Sequence, residues 1–279
     1  MDIAVGIINW NSGHWLHDCI ESLIATSDVA EIAVVDNAST DGSFEGALGF
    51  GDRVRFVRND SNLGFAGGVN QVFAATSSPY VLILNPDIGV SPGAVHQLRR
   101  FLDEQPKAAA VGGYAGGAYL PRQLPTAGSL VRENLGMPKR PPVPGGSAPY
   151  EVEQPAAAVL MVRRAAFLEV GGFDDRFYPA WYEDVDFCKK VKAAGWRIYF
   201  DPEARFTHEG GYSAKAMGTS AFAEAYYRNQ LRYVRKHMSG IAGIAIRCSI
   251  AAGMTARAIA VPANAGAYWA VLVGALGKW

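Results

Sequence analysis

Ile3–Ile8, Glu31–Val35, Val54–Val57 and Tyr80–Leu84 are short, nearly unbroken apolar runs, and each gives way to a polar cluster. Runs of this length, apolar at successive positions, predict buried strands that end in loops. Between them the spacing turns helical: Leu16, Ile20 and Leu23 lie at i, i+4 and i+7, and a helix is expected from near Val69 to about Ala75. Later in the chain, Ala156–Val162 reads as a strand and a helix starts near Arg164. Another helix runs from about Glu183 to Ala194 with Gly195 as its cap, and Arg197–Phe200 is a further strand. Strands alternating with helices in units of this size predict an α/β fold, a mostly parallel sheet with helices on both faces. In such sheets ligands bind at the carboxyl ends of the strands. The clusters Asn9–Ser12, Asp36–Asp41 and Asn85–Asp87 are therefore expected along one edge.

The pattern weakens over 112–150, where Gly and Pro are frequent and apolar periodicity is lost, so a long flexible loop with the character of a lid is expected there. The core is expected to span 1–211. After it, Ala221–Met238 reads as an amphipathic helix with Arg228, Arg232, Arg235 and Lys236 on one side. The remaining stretch to Gly277 is apolar and rich in small residues, with Arg247 and Arg257 interrupting it and Pro262 and Asn264 breaking its longest uncharged segment. Residues 212–279 are thus expected to be a basic and apolar helical region that lies on a membrane surface rather than crossing it, with a packed helical appendage as the alternative.

Charge sharpens this division. The 279-residue chain carries 26 basic and 26 acidic side chains, which gives no overall excess to attract nucleic acid. From Tyr212 onward there are eight basic residues and one acid, Glu224, a net +7 that leaves −7 on the first 211 residues. A basic tail on an acidic body points to an anionic surface such as phospholipid. Three widely spaced cysteines, without a Cys-x-x-Cys, imply neither a zinc site nor a disulfide framework. The opening Met1-Asp2-Ile3 lacks a basic signal-peptide start, so a cytoplasmic location, peripheral on the inner face of the membrane, is expected.

Candidate chemistry sits in the polar clusters. The Asp36 carboxylate, beside Asn37, Ser39 and Asp41, can accept hydrogen bonds from a base or ribose, and the same residues make an ordinary turn. Asp87, directly after an apolar strand, stands where a hard cation bridging two phosphates could bind. Gly64, Gly67 and Gly68 allow close approach either to a ligand or of helix to sheet, and they do not form the dinucleotide fingerprint, which argues against an NAD-dependent oxidoreductase. Glu183, Asp184 and Asp186 open a helix after Trp181-Tyr182; acids are favoured there by the helix dipole, yet one of them, if desolvated, could take a hydroxyl proton. His208 could complete a carboxylate and imidazole site with Asp87.

Taken together, the set resembles the inverting GT-A glycosyltransferases of family 2, in their rhamnosyltransferase-like branch. The residues that carry the resemblance are Asn9-Trp10-Asn11, Val35–Gly42, Asn62–Asn70, Asn85-Pro86-Asp87, Gly171–Asp174, Glu183–Asp186 and His208–Gly211, in the family's order over about three quarters of the chain. The resemblance implies a GT-A nucleotide-binding sheet and donor contacts from Asn9, Asn11, Asp36, Asn37, Gly67, Asn70, Asn85 and Asp87. It implies Mg²⁺ or Mn²⁺ at Asp87 and His208, Asp184 as catalytic base and Glu183 as its support. The first position of the family's Asp-x-Asp element is Asn85, one anionic ligand fewer, and Ala156-Ala157-Ala158 stands where relatives often carry Gly-Ala. The activity implied is transfer of a sugar, L-rhamnose from dTDP-rhamnose or a sugar from a UDP or GDP donor, to a hydroxyl of a saccharide or lipid-linked acceptor in cell-envelope polysaccharide synthesis. A non-catalytic nucleotide-sugar binding module is the alternative in a different class.

Overall fold

The computed structural model describes residues 3–26, 29–137, 146–208 and 217–279. Its strands are β1 (Ile3–Asn9), β2 (Glu31–Asp36), β3 (Arg55–Arg58), β4 (Tyr80–Leu84), β5 (Ile88–Val90), β6 (Ala108–Tyr114), β7 (Tyr150–Val152), β8 (Val159–Arg163) and β9 (Arg197–His208). They form one sheet in the order β3-β2-β1-β4-β8-β6-β9-β5, with β7 paired to β9. The β3-β2-β1-β4 half is parallel throughout. Beyond β4 the sheet is mixed, because β8 runs antiparallel to both β4 and β6 while β9 runs parallel to β6.

The helices are α1 (Trp15–Thr26), α2 (Ser43–Ala47), α3 (Gly64–Ala75), α4 (Ala94–Glu104), α5 (Ala127–Asn134), α6 (Arg164–Glu169), α7 (Glu183–Ala193), α8 (Thr219–His237), α9 (Gly240–Ala260) and α10 (Ala265–Val273). Side chains alternate across a strand, and the apolar runs use both faces. Ile3, Val5 and Ile7 of β1, with Leu82 and Leu84 of β4, pack with α1 and α4. Ala4 and Ile8, with Val81 and Ile83, pack with α3, α6 and α7 on the other face. Burial on both faces explains why these strands read as continuous apolar runs. On the second face α3 comes very close to β1: a Cβ on Gly6 would overlap the Val72 side chain, and one on Gly68 would lie 2.7 Å from Ile8 Cγ2.

Several sequence expectations shift. The helix expected near Val69 begins at Gly64, where the Asn62 side chain accepts from the Gly64 N–H at 2.7 Å. The strand expected over Ala156–Val162 starts at Val159, so the three alanines before it form a turn. The loop expected over 112–150 contains the end of β6, a 3₁₀ turn at Gly117–Tyr119, α5 and the start of β7. Helix α5 starts at a capping box in which Thr126 and Ser129 each satisfy the other's backbone N–H. Residues 138–145 of that stretch, the Glu209-Gly210-Gly211 part of the last motif, Lys215 and the expected boundary at 211 lie outside the described residues.

The C-terminal helices build a third cluster, in which Leu130 of α5 packs with Leu231 and Val234 of α8, Ile246, Ile250 and Met254 of α9, and Val271 of α10. The basic side of α8 is turned inward, unlike the lipid-facing stripe expected. Arg228 donates to the Tyr178 carbonyl at 2.8 Å, Arg232 to the Arg176 carbonyl, and Lys236 to Asp174 at 2.8 Å and Asp186 at 2.9 Å. Arg235 remains exposed. On α9 the two arginines also turn inward, Arg247 to the Ala275 and Trp279 carbonyls and Arg257 to the Asn134 carbonyl. Ile241, Ile244, Ala245, Cys248, Ala252, Ala256 and Ile259, at helical spacing, are left as an exposed stripe without charge. By length and composition α9 is sufficient to cross a membrane, although that stripe is only one face of it.

Candidate active site

A cleft of about 620 Å³ opens where β1, β2, β4 and β9 end. Its walls carry Trp10 after β1, Asn37 after β2, Asn85-Pro86-Asp87 after β4, His208 at the end of β9, and Glu183-Asp184 at the start of α7. The expected gathering of polar clusters along one edge is therefore what the sheet produces.

Only part of the expected donor set faces this space. Asn37, Asn85 and Asp87 line it; Asn9, Asn11, Asp36, Gly67 and Asn70 are not among its lining residues. Fully buried Asn9 donates through Nδ2 to Asp36 Oδ1 at 2.7 Å, to Ser43 Oγ at 3.0 Å and to Ser39 Oγ at 3.1 Å. Asp36 is equally buried and accepts further from the Ser39 hydroxyl and backbone N–H, with Arg58 Nε at 3.7 Å. Asn11, with φ of 49°, accepts from the Thr40 N–H at 2.8 Å and so ties the first loop to the second. Asn70 clamps Phe173 by two bonds, donating to its carbonyl at 2.9 Å and accepting its N–H at 3.0 Å. Gly67 lies inside α3, where a Cβ would meet Leu63 Cβ at 3.0 Å. These five residues are short polar or small groups whose capacity the protein itself uses, which is how they shape the loops that Trp10, Asn37 and Asn62 present to the cleft.

Asp87 and His208 meet as expected. His208 Nε2 lies 3.0 Å from Asp87 Oδ1, with both side chains buried. The Tyr119 ring stacks on the imidazole at a centroid distance of 4.0 Å. The orientation makes no hydrogen bond, and both ring nitrogens of His208 are buried without a partner. Buried polar atoms are rarely left so. Two adjacent ligands of an octahedral Mg²⁺, each at about 2.1 Å, are about 3.0 Å apart, so this pair has the spacing of two ligands of one hard cation. Asn85 completes the rim, and its backbone N–H donates to the Ala158 carbonyl at 3.1 Å, which holds the alanine turn against the end of β4.

Glu183 and Asp184 are adjacent and differ. Asp184 keeps part of its side chain on the cleft surface while protein packs densely around it. Its Oδ2 accepts from Gln154 Nε2 at 2.9 Å and its Oδ1 from the Val185 N–H at 2.7 Å. Burial raises its pKa above the ordinary aspartate value, and those two bonds act in the opposite direction. Glu183 is buried with Oε2 unpaired, and burial reinforced by the Asp184 charge pushes its carboxyl well above the usual range. The third acid, Asp186, does not line the cleft and is paired with Lys236 at 2.8 Å and Lys190 at 3.6 Å, with His237 Nε2 2.7 Å from it.

The signature of glycosyl transferase family 2 matches residues 4–157, more than half of the chain, and that of the N-terminal domain of galactosyltransferase matches 146–210. The chain belongs to glycosyl transferase family 2. This family 2 chain is 28% identical over 267 residues to the N-acetylglucosaminyl-diphospho-decaprenol L-rhamnosyltransferase of Mycobacterium tuberculosis, covering 85% of each. It is 23% identical to the rhamnosyltransferase WbbL of Escherichia coli, over 83% of this chain and 93% of that one. Among solved structures, a mannosyltransferase from Pyrobaculum calidifontis in complex with GDP-Man and Mn²⁺ superposes with a TM-score of 0.63 at 15% identity, covering 99% of this chain and 87% of that one. GalNAc-T7 with UDP, GalNAc and Mn²⁺ gives a TM-score of 0.67 at 17% identity, over 84% of this chain and 48% of that one. The last two likenesses identify the GT-A fold.

Sequence reasoning about this family 2 chain does not find Gln154, Tyr119 or Arg228. Gln154 follows and Tyr119 lies within the stretch expected to be a loop, and Arg228 belongs to the helix side expected to face lipid. The one available signal is Tyr119, an aromatic residue in a Gly-rich stretch.

Proposed function

We propose that this protein is an inverting rhamnosyltransferase that moves L-rhamnose from dTDP-L-rhamnose to a hydroxyl of a lipid-linked saccharide during cell-envelope polysaccharide synthesis. The observation that carries the reading is that one cleft joins the Asp87–His208 pair to Asp184. The names of the relatives from M. tuberculosis and E. coli support rhamnose as the sugar.

In this reading the diphosphate of the donor lies toward Asp87 and His208, which would hold Mg²⁺ or Mn²⁺. The bound cation supplies compensation for negative charge on the departing diphosphate. Asp184, kept ionised by Gln154 and the Val185 N–H, takes the proton from the acceptor hydroxyl as its oxygen approaches the anomeric carbon from the opposite side. Attack from the side opposite the leaving group inverts that carbon. Glu183, beside the base on the same helix turn, is its support. The uncharged stripe of α9 rests on the cytoplasmic membrane surface, within reach of a lipid-linked acceptor.

The test is nucleoside diphosphate release from dTDP-, UDP- and GDP-sugars with and without Mg²⁺ or Mn²⁺. Metal-dependent release from dTDP-rhamnose is expected. Asp184→Asn should lower it by about 10²- to 10⁴-fold, the usual worth of a general base, with donor affinity unchanged in calorimetry. Release from a UDP- or GDP-sugar instead would replace the donor, and donor binding without turnover in the presence of lipid-linked acceptors would favour a binding module.

A further inference from the structure

The backbone that leads into α7 is held by other parts of the chain. Trp181 and Tyr182 both lie in the left-handed region, with φ of 72° and 74°. Tyr182 is the N-cap of α7, and its carbonyl accepts from the Asp186 N–H at 2.9 Å. Residues other than glycine keep such a conformation only where their surroundings over-determine it. Asp184 follows two residues later and lines the cleft, so its place depends on where Tyr182 is fixed.

Tyr182 is fixed at the far end of its ring. The side chain is buried against Phe177 and Tyr233, and its hydroxyl accepts from Gln230 Nε2 of α8 at 3.0 Å. Gln230 is itself fully buried, and its Oε1 accepts from Asn134 Nδ2, at the end of α5, at 3.0 Å. The same Asn134 amide donates to Ser249 Oγ of α9 at 3.1 Å, and the Ser249 hydroxyl donates to the Ile246 carbonyl at 2.7 Å. The Tyr182 hydroxyl also meets that of Tyr226, which donates to Glu133 Oε1 at 2.6 Å. Helices α5, α8 and α9 thus send polar side chains toward one phenol.

Packing alone does not require these groups. They run through a cluster otherwise built from Leu130, Leu231, Ile246 and Ile250, and Asn134 Oδ1 is buried there with no partner among the described residues. An apolar side chain at 134 would avoid that cost. A hydrogen-bonded network is satisfied in one arrangement, so it specifies position where apolar side chains only fill volume. Here the position specified is that of the Tyr182 hydroxyl. Through a rigid aromatic side chain it becomes the position of the turn that carries Asp184.

We propose that Tyr182 and Gln230 are positioning residues for Asp184, and that their hydroxyl–amide bond, anchored by Asn134, sets the turn from which the carboxylate faces an acceptor hydroxyl. The role given to Asp184 rests on the transferase reading; the network does not. Tyr182→Phe and Gln230→Met keep the volume and remove the bond. Each should lower kcat about tenfold with the donor KM within about twofold of wild type. The double variant should fall no further than the single ones, because both remove the same contact. Tyr233→Phe, which takes a hydroxyl from the neighbouring ring, should leave turnover unchanged. Amide hydrogen exchange supplies a readout without turnover: the Asp186 N–H, bonded to the Tyr182 carbonyl, should exchange at least about ten times faster in both variants, while the amides of β1 and β4 keep their wild-type rates. The proposal is overturned if kcat is unchanged, if the two losses multiply, or if exchange at Asp186 is unaltered or rises equally throughout the sheet. Faster local exchange in a protein that transfers no sugar from any donor would count against the transferase reading and leave the network's hold on the turn standing.

Discussion

Two adjacent carboxyls at the start of one helix acquire different chemistry from their surroundings. Glu183 is buried with an unpaired oxygen, whereas Asp184 touches the cleft and has a donor on each oxygen. An acid whose folded pKa is raised adds stability below its unfolded value, about 4.3 for Glu, and loses that contribution as pH rises through the folded value. Glu183→Gln, which cannot ionise, should therefore melt above wild type at pH 8. The gap should close toward pH 4, each 1 kcal/mol appearing as about 2–4 °C; a pH-independent difference would contradict the assignment. With Asp184 as the proposed base, the same reasoning places the acid limb of the turnover profile above the ordinary aspartate range, since a base must be ionised to act and burial raises the Asp184 pKa. The sequence shows that an acid here follows two aromatic residues. Which acid has a donor on each oxygen depends on Gln154, which lies 30 positions from Asp184 and arrives through the pairing of its backbone with Arg122.

At the scale of elements, helix α8 holds the turn before α7 in place. Trp181 and Tyr182 both have positive φ, 72° and 74°, a conformation that costs about 1–3 kcal/mol per non-glycine residue unless the surroundings hold it. The restraint comes from α8. Asn229 donates to the Ala180 carbonyl at 2.8 Å, Gln230 to the Tyr182 hydroxyl at 3.0 Å, and Lys236 and His237 grip Asp186. A periodicity reading sees four basic residues on one side of a helix and cannot tell solvent or lipid from buried carbonyls. Among the elements outside the expected set, α4 and β6 differ in kind. Helix α4 carries a readable signal, since Val95, Leu98 and Leu102 are buried at helical spacing; β6 carries little, because Ala108–Gly113 has one branched residue and the strand's one aromatic, Tyr114, comes at its end. The close approach of α3 to β1 depends on Gly6, so Gly6→Ala should destabilise the fold by about 1–3 kcal/mol in urea unfolding. Val72→Ala in the same chain should recover part of that loss, and the absence of coupling between the two would show that the contact is not limiting.

Across the whole molecule, apolar burial is divided between the two faces of the sheet and the C-terminal helices, and the cleft lies where the sheet meets α7 and α8. The proposed membrane contact follows from what remains outside: the arginines of α9 are consumed by carbonyls while Ile241, Ile244 and Ile259 stay exposed. Binding to vesicles should therefore be reduced by changing these three isoleucines to Ser and should depend little on salt. Steep salt dependence with indifference to the serine substitutions would point to Arg235 and electrostatic attachment instead. The sequence by itself determined the strand-and-loop alternation, the edge on which the polar clusters gather and the order of motifs, because periodicity and turn chemistry act over a few residues. Tertiary structure decided which of those polar groups reach the cleft, which carboxyl receives a donor on each oxygen and which way the basic helix faces. Each of these is set by contacts between segments distant along the chain, where burial and satisfied hydrogen bonds outweigh local preference.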